Sequence, residues 1–303
     1  MTLISVLVSL AFDRAMFSHR DSAIEGWFSR AATAVASRLP SSMDGLSGAV
    51  LLVLPPTILV AVLQGAIHAW LFSLLGMLLG IVVLLFTLGP LDPVGLVDDY
   101  LDARRIDDRE RIAWFYERFT GEPLPDDSTV EGRQMVEAVF YQGHDHLFAT
   151  VFWFCVLGPA GAVAYRMAAE VALRPSTSIV ARPPLHQAGR QILGLLGWIP
   201  ARLIAFGYAM TGSFEEALYH LRRGFRGRGE DLLAGNRQLL ADVGAAAMRR
   251  DPRERDGDET EDGTERRAHD PAGAVESARA LSVRTAVLWL AILALFTLSG
   301  WIT

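Results

Sequence analysis

The chain has 303 residues, of which 51% are hydrophobic and 20% charged, with a mean hydropathy of +0.28. The apolar excess sits in long blocks free of charge, which excludes an ordinary soluble domain. A net charge of −6 gives no general case for nucleic-acid binding, and one cysteine, Cys155, excludes an internal disulfide.

Residues 1–12 are apolar but lack the basic leader and small-residue cleavage site of a signal peptide, and they are too short to span a bilayer alone. They read as a retained helix packed against other spans. Asp13 and Arg14 follow at once, and charges at membrane depth are functional candidates by default. An interfacial ion pair is the plainer reading. Residues 24–35 are amphipathic, with Trp27, Phe28, Ala31 and Val35 at helical spacing, as in a helix lying in the membrane surface.

Residues 48–65 and 70–88 read as a hairpin of two spans. Pro55 and Pro56 are expected to kink the first, and Gly76 and Gly80 form a GxxxG pattern in the second that permits close helix approach. Residues 89–146 are a polar insertion rich in acids. Asp98, Asp99, Asp102, Asp107 and Asp108 match no EF-hand loop and read as a solvated face. Ile112, Phe115, Tyr116 and Phe119 predict an amphipathic helix over 107–119, and a second helix covers 130–141.

Residues 147–165 read as the third span, with Gly158, Pro159 and Gly161 giving it a flexible, closely packable centre. Residues 191–210 are a fourth candidate, interrupted by Pro200 and Arg202. Full spanning is preferred there to a broken or re-entrant helix. Residues 285–302 form the last span. Between these last two lie helices over 214–225 and 232–248, then a charged stretch, 251–270, too polar to fold and expected to be disordered. The region 212–284 holds 13 arginines. The positive-inside rule puts it in the cytoplasm, and with 191–210 spanning, parity puts 89–146 there too and the C-terminus outside. The expected fold is all-α. It is one integral membrane domain over 1–303, with four to five transmembrane helices and amphipathic cytoplasmic helices, in contact with the lipid bilayer.

Arg202 is the sharpest candidate for a site. An arginine in an apolar run needs a partner, and it can bind an anionic group bidentately or pair structurally with Asp13 or Asp145. His144, Asp145 and His146 form an H-x-H pattern. Without a third ligand nearby, an interfacial cap is preferred to a metal site. No phosphate-binding or metalloprotease motif is present. The residues therefore call for no metal and no cofactor.

Four segments in order (MTLISVLVSLAFDR, FWFCVLGPAGAVAYR, LGWIPARLIAFGYAMTGSFEEAL and SVRTAVLWLAILALFTLSGW) resemble the AmpE family of bacterial inner-membrane proteins. The resemblance implies a multi-pass regulatory or sensory protein linked to β-lactamase induction and peptidoglycan recycling. A cell-wall-derived ligand or a cytoplasmic partner protein would be what it binds. AmpE is in turn similar to the CobD/CbiB enzymes of cobalamin biosynthesis, which join an aminopropanol unit to a corrinoid carboxylate with nucleotide and Mg²⁺. On their pattern Tyr141 stands where they have Glu, Gln142 where they have Asn, and Asp145 at the Asp. Ala149, Phe152, Trp153, Tyr165 and Arg166 follow in register, Thr150 replaces a Pro, and Pro200 to Leu203 match their P-A-R-L. The resemblance makes Asp13, Gln142, Asp145 and Arg202 the ligand-binding candidates. The departures imply a retained scaffold with an altered site and no assigned catalytic residue.

Overall fold

A computed structural model of the chain describes residues 5–9, 25–40, 43–69, 73–88, 93–173, 179, 182–224, 231–248 and 271–299. Asp13 and the 251–270 stretch lie outside them. Every regular element among the described residues is helical: α1 (Glu25–Ala36), α2 (Leu46–Ala69), α3 (Ser73–Leu88), α4 (Pro93–Arg105), α5 (Arg109–Thr120), α6 (Ser128–Gln142), a π-helical segment (Gly143–Phe148), α7 (Ala149–Leu157), α8 (Pro159–Leu173), α9 (Pro183–Thr211), α10 (Phe214–Gly224), α11 (Leu232–Met248) and α12 (Pro271–Leu298).

Four stretches are long and apolar enough to cross a membrane: Leu46–Ile67, Leu75–Arg105, Pro183–Thr211 and Pro271–Thr297. In the first, Leu59 and Val62 are more than 60% exposed, an outward apolar surface of the kind that faces lipid in a membrane span. Residues 5–9 are helical and lie along α3, where Ser5 and Ser9 donate to the carbonyls of Met77 and Ile81 at 3.5 and 3.4 Å. Gly80 permits that approach, since a Cβ there would lie 3.3 Å from the Ser5 hydroxyl and 3.2 Å from the Phe154 ring.

The 147–165 segment is not one span. Its helix stops at Leu157, Gly158 adopts a left-handed φ of 70°, and α8 starts afresh at Pro159. The chain reverses so sharply that a Cβ on Gly161 would collide with the Trp153 carbonyl. Thus α7 and α8 form a tight helical hairpin whose tip meets Gln64 of α2. The Ala160 amide donates to Gln64 Oε1 at 3.5 Å, and a Cβ on Gly158 would sit 2.6 Å from Gln64 Nε2. Hydropathy registers the apolar length of this segment but cannot register a positive-φ glycine followed by proline.

The 191–210 segment, by contrast, lies within one unbroken helix, α9, with Pro200 inside it. Proline has no N–H for the carbonyl four residues back, Leu196 O. The Trp153 indole N–H, reaching from α7, donates to that carbonyl at 3.0 Å. The backbone acceptor freed by proline is therefore satisfied by the neighbouring hairpin. This helix is also the most enclosed of the four, with 56% of its most apolar window buried against 11–29% in the others.

Two large cores divide the molecule. One joins α1, the first half of α2, α8 and the first half of α9 around Leu52, Val171 and Leu185. The larger unites α4, α5 and α6 of the acidic insertion with the second half of α9, α10, α11 and the start of α12. Residues 97–140 and 217–247 thus share one core. An ion pair reinforces the union, Asp98 binding Arg279 at 2.6 Å, and within the insertion Arg104 meets Glu131 at 3.4 Å. Asp108 caps α5 by accepting from the Arg111 amide at 3.1 Å. Much of the acidic run is thus used in pairs and caps.

Candidate functional site

The acidic insertion enters the membrane hairpin through the π-helical segment at 143–148. Wider π-turns inside α-helices are frequent at functional sites. Here the extra width lies at the junction of both cores, and His144, Asp145 and His146 are all buried. Asp145 is 3% exposed, yet it is paired on two sides. Arg237 of α11 grips one carboxylate oxygen through Nη2 at 2.7 Å and Nε at 3.2 Å. The other oxygen accepts from His144 Nδ1 at 2.8 Å. Burial alone would raise the Asp145 carboxyl, but the Arg237 charge and the His144 hydrogen bond outweigh it and hold the group down at about 2.

An ionised carboxylate only accepts hydrogen bonds, so His144 donates from Nδ1. That leaves His144 Nε2 buried with no hydrogen-bond partner. The ring edge faces Gly197 of α9. A Cβ there would lie 3.3 Å from His144 Cε1 and 3.5 Å from Asn236 Nδ2, so a glycine is what lets the three elements meet.

Arg202 approaches the same junction from α9. Its Nη1 donates to the Trp198 carbonyl at 2.9 Å and to Asn236 Oδ1 at 3.0 Å, and its guanidinium stacks on Trp198 at 3.9 Å. Asn236 also donates to the Gly194 carbonyl at 2.8 Å. Asp145 and Arg202 are therefore not paired with each other. They are held by consecutive residues, Arg237 and Asn236, of one helix. Gln142 is turned elsewhere, donating to the Phe119 carbonyl at 2.7 Å and tying α6 to the end of α5. Asp13 lies outside the described residues.

Arg237 and Asn236 do not stand out in the sequence. Their only signal is a polar pair, Asn-Arg, inside the apolar stretch LLAGNRQLLADV. Tyr141, at the position where the corrinoid enzymes have Glu, lies under Arg237 with its ring 4.6 Å from the guanidinium carbon. Burial pushes the Tyr141 phenol up. For Arg237 burial acts downward, but Asp145 outweighs it and the guanidinium is held above its usual range. Further along, Arg166 and Glu170 of α8 form a buried pair at 3.7 Å. No cluster of three metal-ligating side chains occurs among the described residues.

With a carboxyl near 2, Asp145 holds no proton to give at neutral pH and is a weak base. Its work is electrostatic: it fixes Arg237 and orients His144. The site joins the membrane hairpin (through 143–148), α9 and α11.

These features define a polytopic helical membrane protein with a buried charged joint between its membrane hairpin and its polar helices. The chain belongs to the AmpE family, described as regulatory signalling modulator proteins, which it matches over residues 1–300. It is also similar to two curated proteins named cobalamin biosynthesis protein CobD. One, from Stutzerimonas stutzeri, is 33% identical over 170 residues, 52% of this chain and 54% of that protein. The other, from Chromobacterium violaceum, is 33% identical over 118 residues, 39% of this chain and 35% of that protein. The chain thus spans about half the length, or less, of these curated relatives. No solved structure matches it.

Proposed function

We propose that this membrane regulatory protein sits in the bacterial inner membrane and acts in β-lactamase induction and peptidoglycan recycling. It would respond through the Asp145 joint to a cell-wall-derived ligand or a cytoplasmic partner. The supporting observation is the buried Asp145–Arg237 pair. A buried ion pair is weak as a stabilising device and is retained more readily where a specific arrangement is needed. Asp145 and Arg202 are the members of the predicted ligand set that meet α11, and Asp13 and Gln142 complete that set by resemblance. Deleting the gene is expected to alter β-lactamase induction and the muropeptide pool. Finding both unchanged would overturn the reading.

The CobD-named relatives favour one alternative, an amide-forming enzyme using nucleotide and Mg²⁺. Against it, Gln142 faces a backbone carbonyl and Asp145 is engaged by Arg237. Purified protein supplied with a corrinoid acid, aminopropanol, nucleotide and Mg²⁺ is expected to form no amide. Turnover that is lost in Asp145→Asn would establish the enzyme instead.

A further inference from the structure

A groove of about 260 Å³ runs between α7 and α12 and is also lined by Leu203 of α9. We propose that it holds one acyl chain of a bilayer phospholipid as a bound, stoichiometric component. Three observations carry this assignment beyond a generic apolar face.

The first is position. The α12 wall runs from Ala286 to Phe296, inside a stretch long and apolar enough to cross the membrane. Lipid is therefore the solvent at its mouth. The second is length. Ten residues of helix rise about 15 Å, which is half of a hydrocarbon core of about 30 Å. The groove therefore has the depth of one leaflet and matches one chain entering from one side. The third is its graded lining. At one end Phe148 and Trp289 pack edge to face at 5.4 Å, next to the polar joint at 143–148 and close to Thr285, whose hydroxyl is 2.8 Å from that of Thr211. Tryptophan is enriched at the membrane–water boundary. Toward the other end the walls are Cys155, Val156, Leu293 and Phe296. The groove thus begins beside the hydroxyls of Thr211 and Thr285 and runs on between apolar side chains alone, the sequence of environments along a phospholipid from glycerol to chain terminus.

A helix of a second copy fits less well. The groove lies between α7, nine residues long, and one half of α12, and it offers a slot for a chain rather than a flat face for a helix. A bound chain there would sit against α7, one turn from the Asp145 joint.

The test uses full-length protein in nanodiscs of phosphatidylethanolamine and phosphatidylglycerol, one fraction of which carries a photoactivatable diazirine on an acyl chain. Crosslinks are expected to concentrate on 147–156 and 286–296 and to be at least several-fold denser there than on Leu59 and Val62 of α2, which face outward. Native mass spectrometry should show one retained phospholipid per chain. The double substitution Val151→Trp and Ala286→Trp should remove it, whereas Leu295→Trp, on an outward position of α12, should keep it. Crosslinking spread evenly over all outward helices overturns the proposal, and so does an unlabelled groove in a dimeric particle, which would assign the surface to a second copy. The crosslinking of unsubstituted protein decides the matter even if the double variant fails to fold.

Discussion

Two segments of similar apolar content behave in opposite ways. Residues 147–165 contain no charge and look like a simple span, yet they fold back on themselves at Gly158. Residues 191–210 contain a proline and an arginine and look broken, yet they lie in one helix of 29 residues. Backbone hydrogen bonding explains the difference. At Gly158 a positive φ followed by Pro159 stops one helix and starts another, and Gln64 meets the exposed turn. At Pro200 the lost bond is replaced by Trp153 from the hairpin itself. Apolarity sets what a segment can be immersed in, while the satisfaction of its carbonyls sets whether it continues. The two segments also depend on each other, because the reversal of one places the indole that repairs the other.

The largest effect should follow removal of the charge at the entrance to the hairpin. Asp145→Ala leaves Arg237 beside an apolar void and is expected to cost about 3 kcal/mol, since breaking a buried pair strands its partner. A denaturing-detergent titration of the purified protein measures this. The same carboxylate has a definite pH signature. Its folded value, about 2, lies below the usual value of about 3.9. Its stabilising contribution is therefore complete above about pH 4 and is lost as the pH falls through about 2. Wild type should lose stability from about pH 4 downward more steeply than Asp145→Asn.

Next in size is Gly158→Val, which places a branched side chain at φ 70° and against Gln64. A cost of about 2 kcal/mol is expected from backbone strain alone. If the variant is as stable as wild type, the turn is not where the structure puts it. The smallest effects carry the sharpest comparison. Trp153→Phe leaves the Leu196 carbonyl unsatisfied and should cost about 1–2 kcal/mol. Pro200→Ala alone should change stability by less than about 1 kcal/mol. In the double variant the alanine introduced in place of Pro200 brings its own backbone N–H to the Leu196 carbonyl, and the penalty of Trp153→Phe should shrink. Strict additivity of the two substitutions would show that the indole and the proline are not coupled.

Much of this architecture was legible in the sequence. The helices over 48–65 and, among the described residues, 73–88, the helices over 107–119 and 130–141, and the final helix depend on composition and period, which are local properties. The reversal at Gly158 depends on one dihedral angle, and glycine and proline are equally compatible with a kink. Asp145 and Arg202 both stand out in the sequence, but they do not pair with each other, because the partner of Asp145 is set by how α11 docks, 92 residues further along the chain. Gln142 is a candidate by register with a related family, and register does not say which way a side chain on a helix points. Arg237 stood in the open in LLAGNRQLLADV, yet nothing local distinguishes an arginine that reaches a buried carboxylate from one that faces water.

The most direct test of the account is β-lactamase induction in cells that carry Asp145→Asn on the chromosome, with membrane levels of the protein matched to wild type. Induction should change to the level seen in the gene deletion. Normal induction in Asp145→Asn, where the deletion alters it, would show that the buried pair is a structural fixture and that the regulatory site lies elsewhere.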